Sequence, residues 1–440
     1  MGYLCCRDEM LKNQPIRRRA MIRNTKAFSW IFLCGIIFVS TLSAQIPDFI
    51  KRLSGGTVQN TDFKVEIPFT YIDERISVKS KINDSDKEYT FILDTYSPCM
   101  VREGLIRSIP LDTLDLTEQM GRQLEGSIMK PLFPIYRTIS LGEAVFNDIG
   151  AMVMREDEDN PFIQVLEDGL IGANLLKCCV WQFNFQEMKI VITDKRDKLD
   201  HLIRAIQVPF KPISIQQSPN IQITLNGEDR IDVQFDTGSK GFLTFSSVSL
   251  LSLVDSAEAV ALHRRSISPI KKPGADIETY HLVKLKTLKI GEKTFHDLPV
   301  GVYRTQDEKD TARGAIGIEF MKYFIVTIDW PENQLYLTPI EGQEMKHNIR
   351  TFGLTYGYFD GAVRVASMYG GSDAEKKGIK IGDPVIEING QRVDNLSEDQ
   401  IQQILHGRLR FSHDTDDSLS LIVLSEGTEK RVELFSYTLF

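Results

Sequence analysis

Alternating hydrophobic and polar residues mark short strands across the middle of the chain, where helical periodicity is scarce. Residues 231–235, Ile-Asp-Val-Gln-Phe, alternate, and residues 89–93, Tyr-Thr-Phe-Ile-Leu, form a run of the same length. Each run leads directly into an aspartate. Two hairpins with polar or proline-bearing turns are predicted, at residues 180–185 with 189–193 and at residues 324–329 with 334–338. The pattern predicts a mainly β region of antiparallel strands.

The same landmarks occur twice in this region, in the same order. The copies of each landmark lie about 140–150 residues apart, which indicates an internal duplication. The paired landmarks are Pro68 with Pro209, Asp94-Thr95 with Asp236-Thr237, the G-E-x-x-F-x-D segments starting at Gly142 and Gly291, and residues 169–172 with residues 314–317. We therefore expect two copies of one unit, at residues 63–194 and 204–338.

Asp94 and Asp236 are equivalent residues of the two copies, so a pseudo-twofold arrangement of the copies would bring their carboxyl groups together. Two carboxylates at short distance cannot both ionise cheaply, and they share one proton. Such a pair can activate a water molecule for attack on an amide carbonyl. A single D-T-G-S sequence is also explained by a turn at the end of a strand, so it is the duplication that favours chemistry.

The sequence Asp236-Thr237-Gly238-Ser239, with the later Gly-Ala-Ile-Gly at residues 314–317, resembles the catalytic loop and the hydrophobic-hydrophobic-glycine motif of aspartic peptidases. Residues 171–176 resemble the equivalent stretch of retropepsins, and both copies together are similar to bacterial pepsin-retropepsin hybrids with a C-terminal PDZ domain. The resemblance implies a mainly β, two-lobed acid-protease fold. It also implies an aspartic endopeptidase with Asp94 and Asp236 as the catalytic pair.

The resemblance assigns supporting roles to the neighbours of the two aspartates. Thr95 and Thr237 are expected to interlock by hydrogen bonds, and Ser97 and Ser239 to bond the outer carboxylate oxygens. The first loop departs from the family, because Tyr96 stands where the family has glycine. Glycine suits a place where two backbones approach closely. The alternative to a working peptidase is therefore a catalytically degenerate, peptide-binding scaffold.

A cover over the cleft is also implied by the resemblance. The candidates are residues 125–127 together with Tyr136 in the first copy and residues 271–274 in the second, although an ordinary surface loop explains either segment. Cys99 and Cys178 follow the aspartate and glycine landmarks of the first copy. They could lie near each other, and the competing interpretation is two small buried apolar side chains.

The C-terminal region carries a different signature. The run of residues 371–390 closely resembles the PDZ signature, and Ser397 with Gln400 forms a capping box that predicts a helix. The resemblance implies that a peptide C-terminus adds as a strand, with its carboxylate on backbone N–H groups of the loop Gly353-Leu354-Thr355-Tyr356. The alternative is a PDZ domain that only packs on the preceding lobes as a brace.

Composition and charge narrow the function classes. The 440 residues favour two or three domains, and 42% hydrophobic with 25% charged residues is a globular balance. A formal charge of -8 argues against a nucleic-acid partner. Nucleotide-binding motifs and metal-ligand spacings are missing from the sequence, so we expect no cofactor and no metal. The expected partners are a protein or peptide substrate and a peptide segment bound to the PDZ domain.

The N-terminal segment is basic up to Lys26 and uncharged over residues 27–44. This pattern is typical of a secretory signal cleaved near Ala44, and a single membrane anchor is the alternative. We therefore expect an exported protein, in the periplasm, in the cell envelope or secreted. The expected units are a signal peptide or membrane anchor at residues 1–44, peptidase lobes at residues 45–200 and 201–345, and a PDZ domain, β with one or two helices, at residues 350–440.

Overall fold

A computed structural model describes residues 45–440 except 123, 125–126, 157–162, 164, 228, 246–258, 266–276, 304–313, 346–347 and 413–415. The described part is mainly β, as the alternation predicts. The predicted N-terminal signal, residues 1–44, lies outside the described residues. Within these ranges no helix has the length and apolar character needed to cross a membrane.

Strands of the first copy are short and numerous. They are β1 (Thr57–Val58), β2 (Lys64–Pro68), β3 (Thr70–Ile72), β4 (Arg75–Ile82), β5 (Glu88–Asp94), β6 (Met100–Arg102), β7 (Asp112–Asp115), β8 (Met129–Lys130), β9 (Leu132–Leu141), β10 (Ala144–Gly150), β11 (Met152–Met154), β12 (Gly169–Gly172), β13 (Val180–Asn184) and β14 (Lys189–Thr193).

The second copy and the C-terminal unit contribute the remaining strands. The second copy has β15 (Ile206–Ile213), β16 (Ser218–Leu225), β17 (Asp229–Phe235), β18 (Leu243–Phe245), β19 (Val260–Arg265), β20 (Ile277–Ile290), β21 (Lys293–Tyr303), β22 (Gly314–Ile316), β23 (Phe324–Asp329) and β24 (Gln334–Pro339). The C-terminal unit has β25 (Arg350–Thr351), β26 (Leu354–Phe359), β27 (Ala362–Tyr369), β28 (Val385–Ile388), β29 (Gln391–Arg392), β30 (Ser418–Ser425), β31 (Thr428–Phe435) and β32 (Tyr437–Thr438).

Helices are few and short in the described residues. They are α1 (Gln45–Ser54), α2 (Glu103–Ser108), α3 (Thr117–Met120), α4 (Ala173–Leu176), α5 (Ile318–Met321), α6 (Asp373–Lys376) and α7 (Glu398–Leu405), with a 3-10 turn at Arg196–Lys198. Helix α7 begins with the predicted capping box of Ser397 and Gln400.

Strand pairing repeats around the two aspartates. Strand β5, which ends at Asp94, pairs in parallel with β12, and β12 pairs antiparallel with β6. Strand β17, which precedes Asp236, pairs in parallel with β22, and β22 pairs antiparallel with β18. Strands β6 and β18 in turn pair in parallel with β11 and β21. The repeated landmarks of the sequence therefore coincide with a repeated pattern of hydrogen-bonded strands.

One sheet contains strands of both copies. Strand β13 of the first copy pairs antiparallel with β23 of the second, and Gln182 lies opposite Thr327 at their centre. The side-chain amide of Gln182 donates to the hydroxyl of Thr327 at 3.0 Å. Outward from this pair the order is β14 and β2 on one side and β24 and β15 on the other. A single apolar cluster also runs through both copies, so they pack as one body.

The C-terminal unit has its own core and is docked on the second copy. Its buried cluster runs from Phe352 to Leu434. Strand β27 pairs antiparallel with β19, with Leu262 opposite Tyr369 and Arg264 opposite Ser367. Main-chain hydrogen bonds therefore join this unit to the preceding sheet.

Candidate functional site

The loops that follow β5 and β17 are joined by their threonines. The backbone N–H of Thr95 donates to Oγ1 of Thr237 at 3.1 Å, and the N–H of Thr237 donates to Oγ1 of Thr95 at 3.0 Å. Each hydroxyl then donates across the contact to a carbonyl that precedes the opposite aspartate, Thr95 to Phe235 at 2.6 Å and Thr237 to Leu93 at 3.0 Å. Both threonines are buried, so the four bonds do not compete with water. This is the interlock that the resemblance implies.

Backbone amides hold both carboxylates. Oδ1 of Asp94 accepts from the N–H groups of Tyr96 and Ser97, both at 2.9 Å. Oδ1 of Asp236 accepts from the N–H of Gly238 at 2.8 Å. Each carboxylate is thereby turned back onto its own loop with one oxygen engaged. Oδ2 of Asp94 lies toward Gly238 of the opposite loop.

The two loops approach closely at Gly238. A methyl group built on Gly238 would lie 2.4 Å from Oδ2 of Asp94, well inside van der Waals contact. The carboxyl group of Asp94 therefore packs against the backbone of the opposite loop. Asp236 as a whole residue is half-buried. Desolvation there, followed by the negative charge of Asp94, raises the pKa of Asp236 well above its usual range.

The serines differ from the expected arrangement. In the described residues, the hydroxyls of Ser97 and Ser239 make no hydrogen bond to either carboxylate, and the contacts of these serines come from their backbones. The carbonyl of Ser97 accepts from Ala173 at 2.8 Å, and that of Ser239 accepts from Ile318 at 2.9 Å. The serines thus anchor the two short helices α4 and α5 beneath the loops, which corrects the role that the resemblance implies.

The second repeated glycine of each copy supports its loop from below. A methyl group on Gly172 would lie 2.3 Å from the carbonyl oxygen of Ser97, and one on Gly317 would lie 2.6 Å from that of Ser239. A side chain at either place would displace the loop above it, and this steric constraint explains why both positions are glycine.

A charged group that sequence reasoning missed lies beside Asp236. Nε of Arg75, at the start of β4, donates to the carbonyl of Gly238 at 3.1 Å, and the guanidinium pairs with Asp73. Asp73 also pairs with Lys240 at 2.7 Å. The positive charge of Arg75 opposes the upward shift in the pKa of Asp236. The only signal in the sequence is a basic residue placed shortly before the strand that leads to Asp94.

Tyr96 is accommodated in the first loop. Its carbonyl accepts from Nε2 of Gln216 at 3.0 Å and from Oγ of Ser218 at 2.8 Å. Its side chain is 7% exposed. In each loop, the carbonyl of the residue after the threonine therefore accepts hydrogen bonds from side chains of the other copy. These side chains are neutral at Tyr96, whereas the donor at Gly238 is the charged Arg75.

Most of the residues expected to cover the cleft are not described by the structure. Residues 125–126 and 271–274 lie outside the described residues. Tyr136 lies within β9 and is 1% exposed, and its hydroxyl has no partner in the described part of the chain. Burial raises the pKa of Tyr136 well above its usual range. This residue belongs to the core, so assigning it to a flap was wrong.

The cysteines match the apolar interpretation rather than a disulfide. Cys99 and Cys178 are both free thiols; Cys99 is buried and Cys178 is half-buried. Burial raises the pKa of Cys99 to about 12. Within the described ranges, no group of three or more His, Cys, Asp or Glu side chains is arranged to hold a metal ion.

The C-terminal unit presents a strand edge beside a helix. Strand β26 begins in the predicted loop Gly353-Leu354-Thr355-Tyr356 and ends its sheet, so in the described residues its outer edge pairs with no strand. Helix α7 packs against this strand. Gly353 has φ +89°, and a methyl group there would lie 2.7 Å from Cβ of Ser372, so the turn before the strand requires glycine.

Side chains of the loop hold it in place. Leu354 is buried in the core of the unit. The hydroxyls of Thr355 and Ser367 lie 2.6 Å apart, and Tyr356 bonds Ser412.

Comparison with known families identifies the C-terminal unit. The PDZ domain family matches residues 340–408, which confirms the predicted PDZ domain. The match begins earlier than the predicted start at residue 350, and the strands of the unit continue to Thr438. No family matches the two copies of the repeated unit, and no curated protein matches the chain. The PDZ domain supports the binding of peptide or protein segments as one function of this chain.

Proposed function

We propose that this chain is a two-lobed, pepsin-like aspartic endopeptidase whose PDZ domain binds peptide segments of its substrates. The observation that carries the proposal is the reciprocal bonding of Thr95 and Thr237. It joins two loops that are distant in sequence, and each of these loops carries one of the two aspartates.

The chemistry follows from two carboxyl groups of unequal character. Desolvation and the negative charge of Asp94 raise the pKa of Asp236, so this carboxyl group stays protonated at pH values where an ordinary aspartate is ionised. Asp94 accepts a proton from a water molecule as the water oxygen attacks the amide carbon, and Asp236 donates its proton to the carbonyl oxygen. The resulting diol collapses when a proton passes from the pair to the amide nitrogen and the C–N bond breaks. No covalent enzyme intermediate is needed.

The two-lobed arrangement has further support. The order of parallel and antiparallel pairings around β12 recurs around β22, and the shared sheet relates the copies through the β13–β23 pair. A duplicated unit that pairs about such a centre places equivalent loops opposite one another. Equivalent glycines, Gly172 and Gly317, support the two loops.

Tyr96 favours a second candidate, a peptide-binding scaffold without catalysis. A phenol stands where the second loop has Gly238, and at Gly238 even a methyl group would strike the opposite carboxylate. The buried position of Tyr96 and the two amide bonds that Asp94 retains support the catalytic proposal instead.

The test uses Asp94→Asn and Asp236→Asn on an unfolded protein substrate from acidic to neutral pH. Asp232→Asn is the matched control, because Asp232 is exposed on the strand that leads to Asp236. The wild type and the control should cleave, and neither active-site variant should. Cleavage by both active-site variants would refute the mechanism. A wild type that binds the substrate but never cleaves it would establish the scaffold.

We also propose that the protein is exported, on the basis of the basic and then uncharged N-terminal segment. Cell fractionation and N-terminal sequencing of the mature protein test this. A mature chain starting near Gln45 outside the cytoplasm is the expected result. An intact N-terminus in the membrane fraction would indicate the anchor, and an intact cytoplasmic protein would refute export.

A further inference from the structure

A tight hairpin turn in the first copy lies between the PDZ domain and the loop of Asp236. Strands β3 and β4 pair with Ile72 opposite Arg75, which leaves Asp73 and Glu74 as the two residues of the turn. Both have positive φ, +48° and +63°, the backbone of a type I′ turn.

One face of this turn is held by the PDZ domain. The N–H of Asp73 donates to the carbonyl of His406 at 3.0 Å, directly after helix α7. Glu74 pairs with Arg410 at 2.8 Å. Ile72 is buried in a small cluster whose PDZ members are Tyr358, Ile401 and Leu405. Apolar packing, a backbone bond and an ion pair thus fix the turn against a separate domain.

The other face of the turn holds the loop of Asp236. Arg75 donates to the carbonyl of Gly238, and its side chain is 11% exposed. The carboxylate of Asp73 binds both Arg75 and Lys240, so the turn contacts that loop at two of its residues. The charged groups that face Asp236 are Asp94 from the opposite loop and Arg75 from the turn.

The loop of Asp94 is supported by different side chains. Its equivalent carbonyl, that of Tyr96, is held by the neutral side chains of Gln216 and Ser218. The contact with the PDZ domain therefore reaches the loop of Asp236 through Arg75.

We propose that Arg75 is a positioning residue that fixes the loop of Asp236 and its electrostatic surroundings. The PDZ domain keeps Arg75 in place through its contacts with the turn at residues 72–75. The proposal rests on the proposed function, since it assigns a role within the same aspartate pair. It gives the PDZ domain a task in the site besides the binding of peptide segments.

The first arm of the test compares Arg75→Gln with Arg75→Lys. Glutamine keeps a donor for the Gly238 carbonyl and removes the charge, so the alkaline limb of the pH–rate profile should move up by about 0.5–1 pH unit. Lysine keeps the charge and should retain the wild-type midpoint. A loss of rate in both variants without any shift would show a merely structural role and overturn the proposal.

The second arm loosens the turn from the PDZ side. Arg410→Ala and Ile401→Ala should shift the limb in the same direction by a smaller amount. Lys380→Ala and Ile404→Ala are the matched controls, because Lys380 pairs with Glu426 within the PDZ domain and Ile404 packs on the PDZ core. Equal shifts from the controls, or no shift from any variant, would contradict the coupling.

A readout independent of catalysis separates this proposal from the proposed function. Because burial raises the pKa of Asp236 in the folded state, its contribution to stability is complete at low pH and is lost as pH rises through the raised value. The difference in thermal stability between each protein and its Asp236→Asn derivative follows this loss. In Arg75→Gln, this stability difference should decline up to a higher pH than in the wild type. If the curves of stability difference against pH superimpose for the two proteins, the inference is overturned, even if the wild type cleaves nothing.

Discussion

The loops 94–97 and 236–239 have the same hydrogen-bond framework and different electrostatics. Each places a buried threonine across the contact and turns a carboxylate back onto its own backbone amides. The first loop carries Tyr96 and neutral supports, whereas the second carries glycine and a guanidinium. Two loops can therefore keep one hydrogen-bond geometry while the surroundings of their two acids diverge, and the proposed acid and base roles require such a difference.

The largest effect is expected from removing the hydrogen bonds of Thr95 and Thr237, which both loops share. Thr237→Val leaves the Leu93 carbonyl and the Thr95 N–H unpaired in a buried place, so the free energy of unfolding should fall by about 2–4 kcal/mol. Thr95→Val should cost the same, because it orphans the equivalent groups. Denaturant unfolding measures both. Thr237→Ser keeps the hydroxyl and serves as the control. Clearly unequal losses of unfolding free energy in the two valine variants would show that the two threonines do not have equivalent roles.

The second prediction concerns the close approach at Gly238. Alanine there would place a methyl group 2.4 Å from Oδ2 of Asp94, and the free energy of unfolding should fall by about 1–3 kcal/mol, with cleavage reduced by more than about 100-fold. Gly241 lies in the same region, and a methyl group on it would come no nearer than 3.4 Å to another atom. Gly241→Ala should therefore be nearly neutral in both assays. Equal effects at both glycines would show that the contact with Asp94 is not specific.

The smallest effect is expected from Gln216→Ala, which tests whether the first loop is supported without charge. Gln216→Ala removes a neutral donor from the Tyr96 carbonyl, which keeps its bond to Ser218. The free energy of unfolding should fall by about 1 kcal/mol, and the midpoints of the pH–rate profile should not move. A shift as large as that of Arg75→Gln would mean that the first loop is also under electrostatic control.

Local sequence signals account for much of the architecture. The alternating runs, the repeated landmarks and the capping box correspond to β5, β17, the repeated pairings around the aspartates and the start of α7. The interlock of Thr95 and Thr237 could be anticipated because it follows from the resemblance and involves residues next to the aspartates. The strands and the capping box depend on short segments whose residue types favour one backbone conformation, whereas the interlock joins distant loops and was implied by the resemblance alone.

The contacts that sequence reasoning missed are non-local. Arg75, Asp73 and Lys240 belong to no repeated landmark, and their pairing depends on how the turn lies against the other copy. The docking of β27 on β19 depends on an exposed strand edge that neither segment reveals alone. The serine hydroxyls and Tyr136 were misassigned for the same reason, because their environments are set by packing rather than by neighbouring residues.

The most direct test of the central claim is a carboxyl ¹³C NMR titration of Asp236 in the wild type and in Asp94→Asn, with the signal assigned by its loss in Asp236→Asn. We predict a pKa of Asp236 well above the usual value near 3.9 in the wild type. Removing the charge of Asp94 should lower it, while burial keeps it above that value. An ordinary pKa that is unchanged by Asp94→Asn would contradict the claim that the two aspartates form a pair.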